Sequence, residues 1–355
     1  MLALVLLFWS APARAGGDPT LEWWTLETAH FRVHHPHTLE AIALRVAQLS
    51  EAVHPRLTDA MGYTPSSRTE IIITDNTDSA NGSATSLPLN TVRLFVTAPD
   101  DMSPLGDYDD WFLDLITHEY THILHTDNIS GIPAVLNAVI GKTLSPNQLQ
   151  PRWIIEGLAV LNETTYSSAG RLRGTLFDMY MRADVLEDNI ARLDEISSVA
   201  HRFPQGTLWY LYGSRFLSWI SSVYGPDTMR AVSSDYGASL VPWGINRAIR
   251  RVTGRTYVEL YEGFKDHLRR HYAEKQAQIE KRGLREGTRL THHGRQVAYP
   301  RFVPPVAREV PGREELVYYR NDLNEREGIY RVAMPARRTQ PAAPAVFDPI
   351  PRGSS

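Results

Sequence analysis

The stretch LITHEYTHILHTD, residues 115–127, sets three histidines and a glutamate inside an otherwise apolar run. Trp111, Phe112, Leu113, Leu115, Ile116, Ile123 and Leu124 make the predicted helix apolar nearly all round, which marks it as buried. Buried polar side chains need partners. His118, Glu119 and His122 spell HExxH. Residues four apart on a helix stand about 40° apart on one face, so both imidazoles can reach one ion. Glu119 lies beside them, close enough to touch an ion-bound water without ligating the ion. Zinc is the ion this pattern fits. The bland alternative, a buried helix whose histidines are satisfied in some other way, leaves their partners unnamed.

Composition narrows the ligands. The chain has no cysteine, hence no disulfide framework and no thiolate, so a metal must be held by His, Asp or Glu. Among its 355 residues, 43% hydrophobic and 22% charged content is ordinary for a globular protein. The net charge is −3 with Lys and Arg dispersed, which argues against nucleic acid as a partner. Residues 1–15, MLALVLLFWSAPARA, read as an export signal peptide: Leu2–Trp9 is apolar and Ala13-Arg14-Ala15 is a small-x-small site, although no Lys or Arg precedes the run. A spanning helix needs about 20 apolar residues. This run is too short and no second one exists, so the mature chain is expected to be exported, periplasmic or extracellular, with no integral membrane segment.

Along the chain the period changes character. LEWWTLETAHFRVHHP alternates as a strand with Phe31 and Val33 on one face; residues 40–61 are helical, broken near Pro55; TEIIITD reads as a buried strand. Asn76–Ser86 reads as a polar loop and TVRLFVTAP as the next strand, with Asp107 as the expected cap of the motif helix. Residues 156–282 are mostly helical, 283–294 form a linker, 295–333 turn to strands, and 334–355 form a Pro/Ala-rich tail expected to be disordered. The expected fold class is α+β.

The third ligand is not a metzincin histidine, because His125 and Asn128 occupy the places of that pattern's glycine and last histidine. Further on stands WIIEGLAVLNE, with Glu156 opening a helix, where an acid is also favoured by the helix dipole alone. HEYTH followed by WIIEGLAVLNE resembles the gluzincin metallopeptidases, in the branch whose second motif runs W-x-x-E-G-x-A. The resemblance, over residues 20–282, implies a thermolysin-like domain: a small mixed sheet, an active-site helix and a mostly helical C-terminal part. It implies one zinc ion held by His118, His122 and Glu156. TLWYLYGSRF is similar to the Y-x-K-G segment of gluzincin aminopeptidases, which implies Tyr210 as oxyanion donor; the family's Lys falls on Tyr212, leaving Tyr212 as the alternative. The resemblance places the substrate-binding edge strand at TVRLFVTAP. The aminopeptidase G-x-M-E-N segment is absent, so nothing supports an exopeptidase. Residues 295–333 resemble the opening blade of a TolB-type β-propeller; a single blade cannot close, so the sequence is a fragment of a longer chain or a vestige.

The implied activity is zinc-dependent hydrolysis of peptide or protein substrates with Glu119 as general base. A non-catalytic peptide-binding scaffold, or hydrolysis of a non-peptide bond, are the rival readings. His34, His35 and His37 read as a solvated strand end or a surface metal site. His125 has a role beside the ligands or in packing; Glu163 orients a ligand histidine or faces solvent. IPAVLNAVIG reads as a packing helix over the cleft or a hydrophobic subsite.

Overall fold

The computed structural model describes residue 18 and residues 20–100, 103–199, 201–240, 244–285, 287–294 and 296–335. The expected signal peptide and nearly all of the tail lie outside them. The chain divides into two compact units between Glu280 and Lys281.

The first unit opens with β1 (Trp23–Glu27), β2 (Phe31–Pro36), α1 (Glu40–Met61), β3 (Thr69–Thr74), β4 (Gly82–Thr85) and β5 (Thr91–Phe95). The strands form one mixed sheet in the order β1-β2-β3-β5-β4. β2, β3 and β5 run parallel, and β1 and β4 pair antiparallel at the two edges. Alternation decides the faces. Phe31, Val33, Ile71, Ile73, Val92 and Leu94 are all buried. On the opposite face Arg32 and His34 bridge to Glu70 at 2.9 and 2.7 Å.

Two expectations change here. β5 is interior, so TVRLFVTAP is not the edge strand; the edge is β4, built from the Gly/Ser stretch expected to be loop. α1 also runs unbroken through Pro55. One lost backbone hydrogen bond is outweighed because Val53 and Leu57 are buried on either side of it.

α2 (Trp111–Thr126) carries the HExxH motif and packs with α1 against the sheet. Its cap is Asp110, three residues later than expected, whose side chain accepts from the backbone N–H of Phe112 and Leu113. α3 (Gly131–Ile140), α4 (Arg152–Tyr166), α5 (Thr175–Leu186), α6 (Leu193–Ser197), α7 (Thr207–Tyr224), α8 (Thr228–Gly237), α9 (Ile245–Thr253) and α10 (Tyr257–Lys281) follow. α4 and α7 meet backbone to backbone. A Cβ on Gly213 would lie 2.1 Å from the Trp153 carbonyl oxygen, and one on Gly157 would lie 2.5 Å from the Gly213 carbonyl carbon. Glycine at both positions is what lets these helices close on each other. In α3 only Pro133 is buried, while Ile132, Val135, Val139 and Ile140 are exposed.

In the second unit β6 (Gln296–Phe302), β7 (Glu315–Asn321) and β8 (Gly328–Ala333) form a three-stranded antiparallel meander. Among the described residues it closes into no propeller. No described helix is long and apolar enough to cross a membrane.

Candidate metal centre

α2 and α4 bring His118, His122 and Glu156 together, with one donor atom from each lying within 4.8 Å of the others. Glu156 Oε2 stands 3.6 Å from His118 Nε2 and 3.2 Å from His122 Nε2, and the two imidazole rings are perpendicular with centroids 4.9 Å apart. The donors of a tetrahedral zinc site, each about 2.0–2.1 Å from the ion, are about 3.3 Å from one another. Two nitrogens and one oxygen at this spacing, with no thiolate, are a donor set that zinc fits. Burial alone would raise Glu156, but the two imidazoles outweigh it and hold its carboxyl far below the usual range. Arg152, one turn earlier on α4 and largely exposed, donates to the other carboxylate oxygen at 3.0 Å.

His118 is held from behind. Its Nδ1 lies 3.1 Å from Glu163 Oε2 and 2.8 Å from Arg171 Nη2, and Arg171 Nη2 lies 2.5 Å from the same carboxylate oxygen. One nitrogen cannot donate to Glu163 and accept from Arg171 together. The carboxylate is the stronger acceptor, so we assign a proton to Nδ1, and Nε2, which donates to Glu156 while it too carries a proton, is the nitrogen that would give its proton up to ligate a metal. Burial opposes charge on Glu163, but Arg171 and then His118 pull its carboxyl down to about 2. Burial and Arg171 oppose charge on His118 too; hydrogen bonds to Glu156 and Glu163 override them and put it at about 9. Of the two readings of Glu163, the orienting one fits this geometry, and the solvent-facing one does not. Arg171 was not legible in the sequence: it sits in the loop after α4, and only the fold brings it back.

Glu119 is buried and lines the same cavity, of about 800 Å³. Burial raises its carboxyl, against the pull of both imidazoles. A Cβ on Gly82, the first residue of β4, would lie 2.8 Å from Glu119 Oε1, so the edge strand clears room for this carboxylate by lacking a side chain. Gly82, Ser83, Ala84 and Thr85 all line the cavity, which sets a strand edge along the cleft.

The two tyrosines of α7 part company. Tyr210 lines the cavity, its ring 6.2 Å from that of His118 and 4.9 Å under the Arg171 guanidinium. Burial and then Glu156 push its phenol up to about 12, so it is a proton-bearing donor at neutral pH. Tyr212 is fully buried, donates to Asp184 at 2.6 Å and accepts from the Ala191 N–H at 3.1 Å. The alternative donor is therefore spent inside the core. His125 is likewise structural: buried, it bridges Gln150 and Ser233 at 3.1 and 3.0 Å and lines no part of the cavity. α3 contributes nothing to the cavity either, which removes the hydrophobic-subsite reading of IPAVLNAVIG.

The sequence matches no family model. It is 23% identical over 208 residues to a protein of Treponema pallidum (strain Nichols) described only as uncharacterized; the match covers 58% of this chain and 18% of that one. A crystal structure of an aminopeptidase N family protein from Idiomarina loihiensis superposes with a TM-score of 0.40 at 10% identity, over 68% of this chain and 46% of its own. That likeness is too slight to carry an argument. The chain thus spans less than half the length of either of these two proteins.

Proposed function

We propose that this chain is a zinc-dependent hydrolase of peptide bonds. The observation that carries the reading is the convergence of His118, His122 and Glu156 beside Glu119, in a cavity walled by a strand edge. His118, His122 and Glu156 would hold the ion. When bound, it supplies Lewis-acid chemistry, polarising a carbonyl and making water more acidic. The edge of β4 offers main-chain groups to an extended peptide, the mode of recognition an open strand provides. Glu119, buried and biased toward protonation by that burial, takes the proton of the attacking water and passes it to the leaving amine. Tyr210 donates its hydroxyl hydrogen to the oxygen on which charge develops. Arg171 holds Glu163 ionised and packs on the Tyr210 ring, coupling the support of His118 to that of the tyrosine.

The apolar run Leu2–Trp9 and the small-x-small site after it support action after export. The direct test is Glu119→Gln. Bound zinc should remain at the level of the unsubstituted protein while cleavage of an unstructured protein such as casein falls at least about a thousandfold. Undiminished cleavage would remove Glu119 from the chemistry; no cleavage by the unsubstituted protein would remove the peptidase reading.

A further inference from the structure

One carboxylate in the cavity is used by nothing described so far. Asp114 lies one turn before His118 on α2, lines the cavity and is only 4% exposed. Its Oδ1 has no hydrogen-bond partner, and among the described residues no cation pairs with it. The neighbouring acids differ. Asp110 caps α2 and pairs with Arg45, and Asp109 accepts from Ser168. Asp107 also lines the cavity and is exposed. A buried carboxylate oxygen without a partner is costly, and an apolar side chain would serve packing better. Burial, and next the charge of Glu163, push Asp114 up to about 7, a penalty that a hydrogen bond from Ser167 relieves only in part. Leu105, Tyr108, Trp111 and Phe177 are the apolar and aromatic residues among those that line the same cavity. Tyr108 and Trp111 meet edge to face with centroids 5.9 Å apart, and the Trp111 indole N–H is buried and unpaired.

Resting on the peptidase reading, we propose that the part of the cavity at Asp114 is a subsite for a cationic side chain, lysine or arginine, with Asp114 as the specificity-determining residue. The aliphatic stem of such a side chain lies against the rings and its charged end reaches the carboxylate. A neutral apolar side chain leaves Oδ1 unpaired, and an acidic one adds like charge. One helical turn is about 5.4 Å, so the cationic residue flanks the bond held at His118, His122 and Glu156.

The test is equilibrium binding to zinc-loaded full-length protein carrying Glu119→Gln, which keeps the ligand intact. Three unstructured peptides are used, identical except for one lysine, norleucine or glutamate. The lysine peptide should bind about tenfold or more tighter than the norleucine peptide, and the glutamate peptide weakest. Adding Asp114→Asn should bring the lysine peptide down to the level of norleucine. Equal binding of lysine and norleucine, binding of none of the three, or a lysine preference that survives Asp114→Asn would each overturn the subsite. Should Asp114→Asn not fold, the three-peptide comparison decides alone. Lysine-selective binding without hydrolysis by the unsubstituted protein keeps the subsite and removes the peptidase reading; hydrolysis indifferent to lysine does the reverse.

Discussion

Two short stretches of this chain carry three histidines each and end differently. VHHPH, residues 33–37, runs along β2 and ends one residue past it, and HEYTHILH, residues 118–125, belongs to α2. On a strand, neighbours point to opposite faces. His34 therefore lies on the outer face, bonded to Thr25 and Glu70 at 2.9 and 2.7 Å. His35 is buried, its Nδ1 2.9 Å from the Pro36 carbonyl oxygen, and His37 packs edge-on against Trp24. Each has its own partner; His37 is exposed and His34 half-buried, as a solvated strand end would have them, and only His35 departs from that expectation by being buried. On the helix the period gathers His118 and His122 on one side, where α4 delivers a carboxylate to both. Spacing, not histidine count, makes a metal centre.

The largest effect that would break this contrast comes from paired alanine variants. His122→Ala should lose stoichiometric zinc and all hydrolysis; His34→Ala should keep both, as read by elemental analysis of purified protein. Equal retention would show that helical spacing carries no special weight. Next come the two tyrosines. Tyr210→Phe should lower kcat about 10²–10³-fold with little change in thermal stability. Tyr212→Phe should keep kcat and lose about 2 kcal/mol of stability by urea denaturation, the loss of two buried hydrogen bonds.

The smallest effect concerns His125, the third histidine of the helical stretch. Burial lowers its pKa from 6.5 to about 4. Between those values the unfolded chain binds the proton and the folded one does not, so stability falls as pH drops from about 6.5 to 4, by up to roughly 3 kcal/mol. His125→Gln should flatten that slope in urea midpoints measured at pH 7 and pH 4.5; parallel slopes would contradict the assignment of a neutral buried imidazole.

What was legible in the sequence follows the same logic. HEYTH on an apolar helix announces itself through period and polarity, and the glutamate of W-x-x-E-G-x-A through a familiar companion pattern. The glycine of that motif had no visible reason until Gly157 and Gly213 were seen back to back. β4 was missed because Gly-Ser-Ala-Thr carries almost none of the β-branched bulk that marks strands; β5 pairs it by main-chain bonds, and the cavity needs its small side chains. Arg171 and Asp114 were missed for a different reason. A loop arginine and a helical aspartate are unremarkable in one dimension, and only folding shows one clamping Glu163 and the other burying an unpaired oxygen. Pro55 misled because its cost is local and its compensation is tertiary.

The central claim is that three side chains from two helices grip one zinc ion. Elemental analysis of purified full-length protein, with and without Glu156→Ala, tests it most directly. The account predicts one zinc per chain in the unsubstituted protein and little or none in the variant, with both folded by circular dichroism. A zinc-free unsubstituted protein that does not take up the ion when it is supplied, or a Glu156→Ala variant that holds it as tightly, would contradict it.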